Sequence, residues 1–269
     1  MSGICEGRVV IITGAGRGLG REYALAFARE GAQVVVNDLG TTLTGEGRDT
    51  ATAQAVVDEI RAAGGEAVAN GDDVADWDGA GRLVRTAIEA FGRLDAVVNN
   101  AGFVRDRMFV SQTVEEWDAV IRVHLRGHFC VTSHAVAHWR AENKAGRPVD
   151  ARIINTSSGA GLQGSLSQSV YAAAKGGMPV TPAARTRMTE QAFADKMRSP
   201  VAGFDKQDPA NIAPVVVWLG SAQSAGVTGI VFDIEGGRIT LENGWNDGPT
   251  VDKGARWAPS EVGAAVQGL

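Results

Sequence analysis

Residues 9–38 constrain the fold most tightly, because an apolar run, a glycine-rich turn, a helical pattern and a second apolar run follow one another there without interruption. The first run, 9–12, is continuous and β-branched, as in a strand buried on both faces of a parallel sheet, and it ends at Thr13. Gly14, Ala15, Gly16, Arg17, Gly18, Leu19 and Gly20 come next, and Tyr23, Ala24, Phe27 and Ala28 then recur at helical spacing. A turn without side chains lets a phosphate approach the backbone, and the helix behind it offers unpaired N–H groups and the positive end of its dipole. Strand, glycine turn and helix in this order favour phosphate binding over a purely structural turn.

The second run, 34–36, closes with Asn37 and Asp38, about twenty residues after the turn, where dinucleotide-binding folds set a carboxylate on the adenosine ribose. Asp38 can accept from both ribose hydroxyls and would repel a 2'-phosphate, which favours NAD over NADP. Arg17 pulls the other way, because a guanidinium in the turn can meet that phosphate. The carboxylate outweighs it, since the repulsion would be close and poorly screened. A solvated loop acid is the plain alternative for Asp38. The pattern predicts a doubly wound α/β Rossmann fold with a mostly parallel sheet.

The chain has 269 residues, 44% of them hydrophobic, and a formal net charge of -5, enough for one domain over 1–269 with 237–269 as a tail. It is not basic enough to present a nucleic-acid surface, and no run of 18 apolar residues exists to span a bilayer. The start, MSGICEGRVVIITG, lacks the charged leader and apolar segment of a secretory signal. Cys5 and Cys130 are too few and too isolated for a disulfide framework or a metal site, so a reducing cytoplasm is expected, with a small molecule as partner.

Residues 40–48 are polar and glycine-rich and read as a loop on the cofactor side, before a helix from Asp49 or Thr50 to Ala63 that stops at Gly64 and Gly65. A strand at 67–69 leads to Asp72, Asp73 and Val74, where an Asp side chain and the Val backbone can flank an adenine ring. A helix N-cap acid such as Asp76 is the alternative for any one of these carboxylates. A further helix ends at Gly92, and a strand at 94–98 finishes in Asn99, Asn100, Ala101 and Gly102, residue types suited to the crevice at the strands' carboxyl ends. Residues 114–143 read as a long helix with Trp117, Val120, Ile121, Leu125, Phe129 and Val136 on an apolar face. Phe129 and Trp139 suit a core or an interface better than a cofactor contact.

Tyr171 and Lys175 lie four apart, which on a helix stacks them on one face. A free tyrosine has a pKa of about 10, so acting as a base near neutrality needs roughly 4 kcal/mol. An ammonium about 4 Å away supplies that order of energy at an effective dielectric of about 20. Ser158 precedes Tyr171 on a loop after the apolar pair Ile153 and Ile154, where a hydroxyl can polarise the oxygen that the tyrosine serves. Alone, a tyrosine and a lysine at this spacing are more often a surface pair.

The turn 13–20, the tetrapeptide 99–102, Ser158, Tyr171 and Lys175 together resemble the short-chain dehydrogenase/reductase family in its NAD-binding form. VVVNDLG at 34–40, NAGFVRDRMF at 100–109, VHLRGHF at 123–129 and PAARTRMTE at 182–190 are similar to its (3R)-hydroxyacyl-CoA dehydrogenase branch, found in multifunctional and single-domain proteins. The resemblance covers about 6–190. It implies Ser158, Tyr171 and Lys175 as a catalytic triad and Thr186 with Met188 beside the nicotinamide. Most members have Asn where this chain has His124; that Asn holds a water linking the lysine to solvent, and a histidine can do the same, relay protons, or simply be satisfied by backbone partners. The resemblance further implies oxidation of a secondary alcohol, from a 3-hydroxyacyl-CoA or steroid-type substrate, and a homodimer or homotetramer packed through 114–143. An NADP-dependent carbonyl reductase and a catalytically idle NAD-binding protein are the alternatives.

After Lys175 the pattern breaks. A crossover helix, a loop and a strand need roughly twenty residues, yet only seven, 176–182, precede the next site stretch, and Pro179 and Pro182 forbid helix there. Most of one helix and one strand is therefore expected to be missing. Residues absent from this sequence, a deletion, and a shortened fold are the competing explanations, with the first two favoured; a true deletion predicts a weakened dimer and poor activity. Farther on, 209–219 reads as a helix and 230–234 as a last strand returning to the sheet edge, followed by an aperiodic tail containing Trp245, Trp257 and Pro259.

Overall fold

The β-branched runs of the N-terminal half become the centre of a parallel sheet in a computed structural model, which describes residues 3–42, 44–176, 180–192, 197–200, 203–242, 249–251 and 265. Strands β1 (Val9–Thr13), β2 (Gln33–Asn37), β3 (Glu66–Asn70), β4 (Ala96–Asn99) and β5 (Arg152–Asn155) pair in the order β3-β2-β1-β4-β5, every neighbouring pair parallel. Alternate residues of β1 feed opposite faces. Val10 and Ile12 join one core with Tyr23 and Phe27 of helix α1 (Gly18–Arg29) and Val56 and Ile60 of α2 (Ala51–Ala62). Val9 and Ile11 join the other, with Leu83 of α3 (Trp77–Phe91) and Val131 of α5 (Gly127–Lys144). The result is the expected doubly wound three-layer α/β architecture.

Local chemistry sets the helix ends. The Asp76 carboxylate caps α3 by accepting from Gly79 N at 2.8 Å, and Gly92 closes it in the left-handed region at φ 76°. Thr113 and Glu116 form a capping box at α4 (Val114–Ile121). One π-helical turn, Arg122–Arg126, joins α4 to α5, so the long helix expected over 114–143 is interrupted. Its expected apolar face divides: Val120 is buried, whereas Trp117, Leu125, Phe129 and Val136 are exposed; Trp139, expected in a core or an interface, is buried and donates Nε1–H to Leu94 O at 2.7 Å.

The region after Lys175 is short, as the residue count predicts. Helix α6 (Gly159–Gln163) is followed by α7 (Ser169–Lys175), which ends at Lys175 with its last carbonyl accepting from Ser157 Oγ at 2.7 Å. The expected strand is reduced to four residues, β6 (Val180–Ala183), and it pairs with β7 (Val231–Glu235) in a separate sheet of order β6-β7-β8. Helices α8 (Arg187–Ala192) and α9 (Ala213–Gly220) come between them in sequence, and α9 packs on α1. Strand β7 thus does not return to the edge of the five-stranded sheet. Among the described residues β5 pairs only with β4, and a cavity of about 350 Å³ lies between β5 and β7, lined by Ile153, Ile154, Ile230 and Phe232. The stretch expected to be a tail from 237 begins instead with β8 (Arg238–Glu242), antiparallel to β7. Trp245, Trp257 and Pro259 lie outside the described residues.

Candidate active site

The glycine turn is built for close approach. A Cβ on Gly14 would stand 2.7 Å from Ala101 Cα, and one on Gly20 would stand 2.2 Å from Gly14 O. Gly14 and Gly18 have positive φ, and α1 starts at Gly18 without a side-chain cap, leaving its first N–H groups directed outward. The tetrapeptide after β4 is stitched onto this turn. Asn100 Nδ2 donates to Thr13 O and Gly14 O at 3.0 and 3.2 Å, while Asn100 N and Ala101 N donate to Thr13 Oγ1 at 2.9 and 3.0 Å. These two loops flank the β1/β4 switch point, the crevice where such sheets hold dinucleotides.

A cleft there is lined by Gly14, Arg17, Gly18, Leu19, Gly20, Asp38, Asp73, Val74, Asn100, Ala101, Gly102, Thr186 and Met188, which gathers nearly all the cofactor residues predicted from sequence. Gly16 stands off the wall and acts through its amide, donating to Asp38 Oδ2 at 2.8 Å. The other oxygen of Asp38 accepts from Gly40 N at 2.7 Å, so the carboxylate is fixed at the end of β2 rather than loosely solvated. The Arg17 guanidinium is held by Thr41 O and Thr52 Oγ1 at 3.3 and 3.0 Å. Asp73 combines a turn role, accepting from Ala75 N at 2.9 Å, with an ion pair to Arg122 at 2.7 Å. Glycine-rich turn, uncapped helix start and anchored carboxylate fit a dinucleotide: the first two for its phosphates, the third for a ribose.

A second cavity adjoins the cleft and shares Leu19, Asn100, Gly102, Thr186 and Met188 with it; its other walls include His124, Ser158, Tyr171 and Lys175. Ser158 caps α6, its Oγ accepting from Ala160 N at 3.2 Å, and its hydroxyl is near enough to the Tyr171 phenol to draw the phenol's pKa down. Lys175 lies with Nζ 6.0 Å from the Tyr171 ring centre and donates to Thr156 O at 2.5 Å. Burial governs both groups. It pushes the Tyr171 phenol above its usual range, against the downward pull of Ser158, and with the nearby Asp106 adding to the rise. It brings Lys175 down to about 7. The expected lowering of the tyrosine by its lysine is therefore not what this geometry yields: the ammonium is turned onto a carbonyl and loses its own charge near neutrality, so desolvation prevails.

His124 sits in the π turn, 1% exposed, with its ring edge-on to Tyr171 at 5.3 Å between centres. Nε2 lies 2.7 Å from Phe103 O and 3.0 Å from Phe103 N, donating to the carbonyl in one tautomer and accepting from the amide in the other. Burial and the Lys175 charge press its pKa down to about 3, so it is neutral. Gly102 makes room for it, since a Cβ there would come within 2.1 Å of the ring. The histidine thus has the backbone partner considered from sequence and still lines the cavity that holds Ser158, Tyr171 and Lys175. Thr41, Thr42 and Gly45 of the loop read from sequence on the cofactor side line the cleft, whereas Phe103 was not found; the aromatic directly after Asn-Ala-Gly was the available signal. Among the described residues no group of acidic, histidine or cysteine side chains could hold a metal, and no helix is long and apolar enough to cross a membrane.

A nucleotide cleft opening onto a cavity that holds a serine, a tyrosine and a lysine defines an oxidoreductase that works with a nicotinamide cofactor, NAD or NADP. The short chain dehydrogenase family model matches residues 8–188, and the chain belongs to that family. It is 42% identical over 253 residues to the peroxisomal multifunctional enzyme type 2 of Mus musculus, covering 87% of this chain and 32% of that protein. It is 39% identical over 292 residues to the hydroxyacyl-CoA dehydrogenase ChsB1 of Mycobacterium tuberculosis, covering 97% and 88%. The chain therefore spans about a third of the first relative and most of the second. The second match runs longer than the 269 residues of this chain, so ChsB1 has residues with no counterpart here. A crystal structure of a short chain dehydrogenase from Mycobacterium avium superposes with a TM-score of 0.86 at 54% identity, covering 99% of this chain and 96% of that one.

Proposed function

We propose that this protein is an NAD-dependent dehydrogenase that interconverts a secondary alcohol and a ketone on a 3-hydroxyacyl-CoA. The observation that carries this reading is the gathering of Ser158, Tyr171 and Lys175 in one cavity that shares five wall residues with the nucleotide cleft. Ser158 Oγ holds the substrate oxygen. Tyr171 takes the hydroxyl proton in oxidation and returns it in reduction. Lys175, turned from Thr156 O toward the ribose and the phenolic oxygen, offsets the burial that keeps the phenol protonated. Bound NAD supplies the hydride acceptor. Thr186 and Met188 pack at the junction of the two cavities, on the nicotinamide side, and neutral His124 braces the Tyr171 ring.

Asp38 supports NAD: both its oxygens are anchored by backbone amides, which keeps the negative charge where a 2'-phosphate would have to sit. The hydroxyacyl-CoA substrate rests on the two kinds of relative, one named for that activity and one a peroxisomal multifunctional enzyme; a steroid-type alcohol is the second substrate reading. Exposed Trp117, Leu125, Phe129 and Val136 favour a homodimer or homotetramer. The two buried free cysteines suit a cytoplasmic setting.

Turnover of a hydroxyacyl-CoA panel with NAD and with NADP tests the reading. Tyr171→Phe is expected to lower kcat at least about a hundredfold while NAD binding by calorimetry is retained. Near wild-type turnover of that variant would exclude the assignment. A second reading, an NAD-binding protein without turnover, draws on the end of α7 only one turn after Tyr171; calorimetric binding with no turnover in the wild-type chain would favour it.

A further inference from the structure

We propose that Arg105 is a positioning residue that clasps the loop after β2 across the mouth of the nucleotide cleft, and that opening this clasp governs how fast the cofactor leaves. The inference rests on the nucleotide reading of the cleft. Two loops far apart in sequence meet there. Thr41, Thr42 and Gly45 follow β2, Gly102 and Phe103 follow β4, and all five line the same cleft.

Arg105 makes the junction. Its Nε and Nη2 donate to Thr44 O at 3.3 and 3.0 Å, its guanidinium stands 5.7 Å from the centre of the Phe103 ring, and Glu46 lies 3.9 Å from Nη2. The Arg105 side chain is only 23% exposed and Phe103 7%, so these contacts are partly screened from water. Gly45 presses onto the same ring, since a Cβ there would stand 2.7 Å from it. The loop is knit into a unit of its own: Thr42 N donates to Glu46 O at 2.8 Å, Gly45 N to Thr42 O at 3.1 Å, and Glu46 N to Thr42 Oγ1 at 3.2 Å. A loop tied within itself swings as one piece. Among the described residues, Arg105 is the side chain that hydrogen-bonds it from the β4 side, so its release frees the tip of the span while Arg17 holds its base at Thr41 O.

A dinucleotide lying along the cleft passes beneath this span, and its departure requires the Arg105–Thr44 contacts to break. The same short segment, from Gly102 to Arg105, carries Val104 into the catalytic cavity and its backbone binds His124. The clasp and the reacting end are therefore mounted on one segment.

Stopped-flow measurement of NADH release, by chasing with excess NAD, compares wild type with Arg105→Ala, Arg105→Lys and Gly45→Val. Arg105→Ala is expected to raise the off-rate about tenfold with little change in the on-rate, and Arg105→Lys to fall between, because it keeps the charge but not the fork. Gly45→Val should also speed release by wedging the loop off Phe103. Thermal unfolding without nucleotide identifies any variant that has lost its fold, and the remaining variants decide. Off-rates equal to wild type in folded variants would overturn the clasp while leaving the nucleotide reading intact. No NADH binding by the wild-type protein would overturn the nucleotide reading and the clasp with it.

Discussion

Replacing Lys175 with Met should stabilise the cofactor-free protein, and by an amount that depends on pH in a calculable way. The side chain is 2% exposed, and burial sets its pKa at about 7 against 10.5 for a free lysine. At about 1.4 kcal/mol per tenfold, that interval amounts to roughly 5 kcal/mol. Below about pH 7 folded and unfolded chains both hold the proton, and the full penalty is present. Between about 7 and 10.5 the unfolded chain holds it and the folded chain does not, so stability rises with pH by up to about 1.4 kcal/mol per unit; above that window both are neutral and the penalty is gone. Methionine keeps nearly the same volume, but it leaves Thr156 O without the donor now 2.5 Å away, a loss of about 1–2 kcal/mol. Lys175→Met should therefore gain roughly 3 kcal/mol at pH 6, with the gain fading and then reversing slightly toward pH 10. Urea unfolding followed by tryptophan fluorescence at pH 6, 8 and 10 measures this. A difference that does not vary with pH, or a loss of stability at pH 6, would refute the argument that desolvation of this ammonium dominates.

Two other substitutions probe the site. Gly102→Ala puts a methyl group against the His124 ring and should cost about 2 kcal/mol, and pairing it with His124→Ala should recover most of that loss in a double-mutant cycle of unfolding free energies. Asp38→Ala should raise KM for NAD about tenfold or more while narrowing the gap to NADP. Equal losses with both cofactors would show that Asp38 merely secures Gly16 N and Gly40 N.

Much of the nucleotide half was legible because local rules there agree with the global fold. Residues 34–36 are continuous and β-branched and become β2, buried at four of its five positions, and Gly92 ends α3 as its conformational freedom suggests. Asp76, Thr13 and Asn100 find partners within neighbouring loops, and their residue types hinted at this. The π turn was not legible, because its residues continue an apolar helical pattern; the extra residue per turn carries His124 inward and leaves Leu125 and Phe129 outside. The clasp was equally hidden, since Arg105 and Thr44 are separated by 61 residues and nothing in either loop names the other. Pro179 lies outside the described residues, and Pro182 stands in β6, which can hold a proline because, among the described residues, that strand pairs on one side only. The pKa of Tyr171 eluded residue spacing because the sign depends on solvent exclusion and on where the Lys175 ammonium points.

Among the described residues the flank of β5 away from β4 has no partner strand and lies beside an apolar hollow. In parallel sheets such a flank is ordinarily sheltered, because it is a template on which any extended chain can register. An edge of this kind competes for passing strands of sister molecules during folding, and the competition grows with concentration. The short stretch after Lys175 thus bears on folding through a strand edge rather than through any reacting group.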